Sequence, residues 1–210
     1  MNFHDLAIFR AMTVAKKPRR NNESNRRKDL LRVSARLFRQ KGFDGTSIRD
    51  ISSAAGMQSG SPFYHFKTKQ DILVAVMEEG LTEGLRIFGE VMALALPPED
   101  KLVRMIRTQL GTILDDAHDF VPVLHYEWRS LTPANRRHIV ALKDRYDALW
   151  QSLIDDLQQA GHMPGDAQLM RLLILGAVNW TGTWYMPGGR LSLDDVAQGA
   201  ARLFLRNMPQ

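Results

Sequence analysis

Apolar residues along this chain recur at helical spacing, and polar clusters punctuate them. Leu30, Val33, Leu37 and Phe38 share one face of a helix expected from about Arg26 to Lys41, with Arg32, Arg36 and Arg39 turned outward. Gly42 is placed to end it as a left-handed cap, with Phe43 packing behind. Ile48, Ile51, Ala54 and Ala55 stripe a short helix from Ser47 that stops at Gly56. A second short helix follows, polar first (Gln58, Ser59, Gly60, Ser61) and aromatic after (Phe63, Tyr64, Phe66). Leu30, Phe38, Ile48, Ile51 and Phe63 would close a three-helix core.

Beyond Thr68 the helical pattern continues. Thr68 and Asp71 stand at capping-box spacing before a long helix expected from Lys69 to Leu96, where Pro97-Pro98 stops it. Further helices are expected at Glu99 to Asp116, Val121 to Ser130, Thr132-Pro133 to Ala160, Asp166 to Tyr185, and from the Ser192/Asp195 capping box to Asn207. No stretch alternates like a strand and no internal repeat is visible. The expected fold is all-α, with about nine helices. A disordered basic arm would occupy residues 1–25, a helix–turn–helix domain 26–68, and a larger helical domain 69–210.

Charge sharpens this division. Residues 16–69 hold fourteen Lys or Arg and four acids, a balance of +10, whereas the rest of the chain carries −5. A polyanion-binding N-terminal quarter on a mildly acidic body follows. Arm residues Lys16, Lys17, Arg19 and Arg20 would lie along the minor groove or backbone or, more simply, screen DNA charge without specificity. The chain has no cysteine, which excludes disulfides, thiolate catalysis and Cys-ligated zinc. Its apolar runs are too short to span a bilayer, and residues 1–12 do not read as a signal peptide, so a cytoplasmic protein is expected. The basic run begins just after Met12, a second candidate start.

A specific motif lies across residues 26–73. A basic helix ends in Gly42-Phe43; Thr46-Ser47-Ile48 and Ile51 follow, then Ala55-Gly56-Met57, then Gly60-Ser61 with Phe63-Tyr64-His65-Phe66 and Thr68-Lys69. This order resembles the DNA-binding domain of the TetR family of transcriptional regulators. The resemblance implies a homodimer that represses at a palindromic double-stranded operator and lets go when a small molecule binds the C-terminal domain. It places DNA contacts at Ser47 and Arg49, at Gln58, Ser59, Gly60 and Ser61 of the recognition helix, at Phe63, Tyr64 and His65 at its end, and at Lys69, where a basic residue usually meets phosphate. Two positions depart from the family pattern: Pro62 replaces an aliphatic residue and Phe63 a tyrosine. Proline without an N–H belongs in a helix's first turn, and the lost hydroxyl shifts phosphate contact towards Tyr64. Arg49 is the side chain suited to bidentate guanine recognition.

The effector end is read from two features. Trp128, Tyr146, Trp150, Trp180 and Trp184 form an aromatic set, and Met77, Leu81, Leu85, Phe88 and Met92 an apolar face on the long helix. The stretch Ala177 to Ala197, with Asn179, Trp180 and Trp184, resembles family members that sense acyl-CoA thioesters. An apolar or amphipathic effector of that class would lie among Phe88, Met92, Trp128, Tyr146, Trp150, Asn179, Trp180 and Trp184, with Arg86, Arg129 or Arg190 near the CoA phosphates. The last two helices carry apolar faces (Leu169, Leu172, Leu173, Gly176, Ala177; Val196, Ala200, Leu203, Phe204) that in the family pair two subunits. An enzyme is the weak rival: no H-E-x-x-H is present, Asp115 and His118 are a lone partial match, and no metal or cofactor is expected. An architectural DNA-binding protein without an effector is the other.

Overall fold

The computed structural model describes residues 19–57, 66–114 and 120–206. The expected recognition helix, with Gln58, Ser59, Gly60, Ser61, Pro62, Phe63, Tyr64 and His65, lies outside them, as do Lys16, Lys17, Asp115 and His118. Among the described residues the chain is all-helical. Its helices are α1 (Arg19–Lys41), α2 (Ile48–Ala54), α3 (Lys69–Met92), α4 (Pro98–Leu114), α5 (Phe120–Tyr126), α6 (Pro133–Gln159), α7 (Ala167–Trp180) and α8 (Leu193–Phe204). Short 3-10 turns follow α5 at Trp128–Ser130 and α7 at Thr181–Thr183.

Local chemistry explains most boundaries. Gly42 sits at φ 74° and its N–H donates to Phe38 O at 2.9 Å, ending α1 in a left-handed cap. Reciprocal capping boxes open α2 (Ser47 and Asp50), α3 (Thr68 and Asp71) and α8 (Ser192 and Asp195). Thr132 caps α6, with Pro133 in its first turn.

Among the boundaries that differ from the periodicity, three have a local explanation. Helix α1 begins at Arg19, so residues 19–25 continue the helix instead of belonging to an arm. These residues have no apolar period, but no Gly or Pro interrupts 19–41, and extending an existing helix carries no nucleation cost. Helix α3 ends at Met92, before Leu96. Lys101 reaches back from α4 and donates to Met92 O at 2.9 Å, satisfying a terminal carbonyl and setting a cation at the negative end of the helix. Helix α7 ends at Trp180, before Tyr185, tightening into a 3-10 turn in which Thr183 Oγ1 donates to Trp180 O at 2.8 Å.

Two apolar cores are strung along α3. The first joins Leu30, Leu31 and Phe38 of α1, Ile51 of α2 and Phe66 to Ile72, Leu73, Val76 and Met77 of α3, with Val123, Leu131 and Ile139 behind. The second gathers Phe88 and Val91 of α3 with Leu102, Ile106 and Leu110 of α4, Trp150 and Ile154 of α6, Ile174 and Val178 of α7, and Ala197 and Ala201 of α8. Tyr146 touches both cores. Because α3 belongs to both, a tilt imposed at one end moves side chains at the other. Among the described residues, no helix is long and apolar enough to cross a membrane.

Candidate DNA-reading head and effector cavity

At the N-terminal end the sequence builds a rigid loop before it builds a contact surface. Thr46, buried, donates from Oγ1 to Gly42 O at 2.8 Å and pins the turn between α1 and α2. Ser47 Oγ accepts from Asp50 N at 3.1 Å and donates to Asp50 Oδ2 at 2.6 Å, while Ser47 N donates to the same carboxylate at 2.8 Å. Those hydrogen bonds from Ser47 hold the Asp50 carboxyl below its usual range, with smaller help from Lys41 and Arg49. The hydroxyl expected at DNA therefore already acts as a helix cap. Arg49, two residues further on, is exposed, as are Arg26, Arg32 and Lys67. Arg27 stacks over the Phe66 ring, 5.2 Å from its centroid.

Lys69 stands elsewhere than expected. Its ammonium donates to Phe43 O at 2.7 Å and Thr46 O at 2.8 Å and lies 4.1 Å from the Phe43 ring centroid. Two carbonyls and an aromatic face hold the charge that the sequence assigns to a phosphate. The contact joins the first turn of α3 to the loop that positions α2.

The C-terminal body contains a cavity of about 560 Å³, between α3, α4, α5, α6 and α7. Of the expected effector residues, Phe88, Trp128, Tyr146 and Asn179 line it. The other four do not. Trp150 is fully buried behind Phe88, ring centroids 5.8 Å apart, and belongs to the second core. Met92 packs on that core, whereas Trp180 and Trp184 are 67% and 50% exposed. Of the three arginines, only Arg129 is at the cavity; Arg86 is held by Glu83 and Glu90 at 2.7 and 2.6 Å, and Arg190 is exposed away from it.

The walls are mainly apolar: Leu81, Ile87, Phe120, Val121, Leu124 and Leu175. Glycines at 80 and 84, one turn apart on α3, let the neighbours close in. A Cβ at Gly80 would meet the Phe120 Cβ at 3.0 Å, and one at Gly84 the Tyr146 ring at 3.3 Å. Polar groups enter at two places. Inside, Tyr146 OH donates to Gln109 Oε1, and Gln109 Nε2 donates to Asn179 Oδ1 at 2.8 Å. Burial pushes the Tyr146 phenol well above its ordinary range, so it stays protonated as a donor. At the rim, Asp147 accepts from Lys143 at 2.6 Å and from Arg171 at 2.8 Å, with Arg129 nearby on the lining. An apolar chamber with cations at its edge fits an amphipathic anion.

Gln109, Lys143, Asp147 and Arg171 are absent from the sequence reading of this site. One signal does point to Gln109: it falls in phase with Leu102, Met105, Ile106 and Leu110, a polar residue on an apolar stripe. Beside the cavity, α7 presents Leu169, Leu172 and Leu173 about half exposed, and α8 presents Leu203 at 83%. Leu172 and Gly176 belong both to this face and to the cavity lining.

Comparison with known proteins places the architecture. Residues 30–76 match the family model described as bacterial regulatory proteins, tetR family, and residues 95–208 match that of the tetracyclin repressor-like C-terminal domain. The HTH-type transcriptional repressor KstR2 of Rhodococcus jostii (strain RHA1) is 29% identical over 182 residues, covering 85% of this chain and 88% of that protein. Among solved structures, superantigen PfiT is 37% identical with a TM-score of 0.77, covering 87% of this chain and 97% of its own. AibR in complex with isovaleryl coenzyme A and operator DNA is 25% identical with a TM-score of 0.78, covering 85% of this chain and 97% of its own. The C-terminal match alone spans more than half of the chain, and the N-terminal match covers the predicted reading head: the protein belongs to the TetR family of transcriptional regulators.

Proposed function

We propose that this regulator is a repressor that binds a palindromic operator as a homodimer and is released by an amphipathic effector, with acyl-CoA thioesters the favoured class. The observation that carries the reading is the cavity of about 560 Å³ whose wall includes α3, the helix that also begins at the reading head. Its volume is in the range of small-molecule sites. Its apolar walls suit an acyl chain, and Arg129, Lys143 and Arg171 at the edge suit phosphates. The similarity to KstR2, a repressor, and to AibR, seen with isovaleryl coenzyme A and operator DNA, supports the same reading.

DNA contact is assigned to Ser47, Arg49, Gln58, Ser59, Gly60, Ser61, Phe63, Tyr64 and His65, with Arg49 the best base reader among those described and Lys69 given over to the loop before α2. The exposed faces of α7 and α8 pair across a two-fold axis and bring two heads to successive half-sites. An effector releases DNA by fitting one setting of α3 better than the other. The test is a footprint on DNA upstream of the protein's own gene, with and without acyl-CoAs. One short palindrome protected and then released by an acyl-CoA is the expected result. Broad, ligand-indifferent protection would instead mark an architectural DNA-binding protein.

A further inference from the structure

The polar relay inside the cavity has a direction. Tyr146 OH donates to Gln109 Oε1, which leaves the Gln109 amide nitrogen facing Asn179. Gln109 Nε2 then donates to Asn179 Oδ1 at 2.8 Å, which fixes the orientation of the next amide. Asn179 Oδ1 is thereby occupied, while its Nδ2 carries two hydrogens with no acceptor among the described residues. Gln109 is 4% exposed and can hardly turn to water instead. The relay crosses from α6 through α4 to α7 and ends at the ligand space with a donor, set among apolar walls.

We infer that Asn179 Nδ2 is the recognition donor of the cavity, that Gln109 and Tyr146 are its positioning residues, and that the site selects apolar chains bearing a carbonyl acceptor over the same chains without one. A thioester carbonyl next to an acyl chain is such an acceptor. This deepens, and rests on, the acyl-CoA reading above. A donor built into an apolar site discriminates because a ligand lacking the acceptor leaves it buried and unpaired.

The experiment uses the full chain and calorimetric titration. Straight-chain acyl-CoAs are compared with S-alkyl-CoA thioethers of matched length, in which a methylene replaces the carbonyl. The wild type should bind the thioester about ten-fold more tightly than its thioether. Asn179→Leu, close in volume, and Asn179→Asp, which removes the donor, should each lower thioester affinity by about that factor. For Asn179→Leu, thioether affinity should stay within about two-fold. Tyr146→Phe should narrow the preference for the thioester, because Gln109 loses the hydrogen bond that orients it. Equal affinity of the wild type for both members of a pair overturns the inference and leaves the effector reading standing; this result requires no variant to fold. Binding of neither member overturns the acyl-CoA reading and the inference with it.

Discussion

Ser47 and Lys69 illustrate how side chains suited to DNA become committed to the protein first. Ser47 caps α2, and Ser47→Ala should cost about 1 kcal/mol of stability, measurable by chemical denaturation. The same box has a pH signature. Hydrogen bonds from Ser47 depress the Asp50 carboxyl in the folded state below its ordinary range, so its contribution is present above the unfolded value and is lost as pH falls through the lower folded value. The stability gap between wild type and Ser47→Ala should therefore narrow, without closing, in strong acid, because the Asp50 N–H still donates to Ser47 Oγ; an acid series of melts would check this. Lys69 makes two charge-assisted hydrogen bonds and a ring contact. Lys69→Met should lower stability by about 2 kcal/mol. If the ammonium acts on the loop and not on a phosphate, the slope of operator affinity against salt should stay the same; a slope reduced by about 1 would return Lys69 to the DNA surface.

Helix α3 is the element on which both cores and the cavity depend, and its glycines are not equivalent. A Cβ at Gly89 would meet nothing within 4 Å, whereas one at Gly80 would press on the Phe120 Cβ at 3.0 Å. Gly89→Ala should stabilise by about 0.5–1 kcal/mol through helix propensity. Gly80→Ala gains the same propensity but must push α5 away, so thermal melts should show no stabilisation. Helix ends teach a related lesson. The capping boxes at Thr68 and Ser192, the left-handed Gly42 and the Pro133 start were legible because each depends on residues within a turn of one another. The end of α3 was not, because a lysine from the next helix helps to set it.

For the whole molecule, the exposed apolar face of α7 and α8 is the feature the proposed dimer accounts for. Leu173 is 48% exposed and does not line the cavity. Leu173→Glu should leave the chain folded by circular dichroism and shift its mass in solution from dimer to monomer. Operator affinity should fall by at least about ten-fold, as one half-site is lost. Light scattering with a gel-shift titration checks both. A wild-type chain that is already monomeric would remove the dimer from the proposal.

Local order made the all-helical class, the basic reading head with its Thr46 to Met57 motif, and most helix starts readable from residues alone, because backbone hydrogen bonds and caps span only a few positions. The effector site was only half readable. Phe88, Trp128, Tyr146 and Asn179 line the cavity, but Trp150 turned into the core and Trp180 and Trp184 outward, since helical spacing does not say which neighbour a face will meet. The packing of α3, α4, α6 and α7 settled that question. It brought Tyr146, Gln109 and Asn179, distant along the chain, into one hydrogen-bonded line, and folded Lys69 back onto the loop at Phe43. Contacts between separate helices depend on how their faces pack, and that geometry has no signature within a single turn.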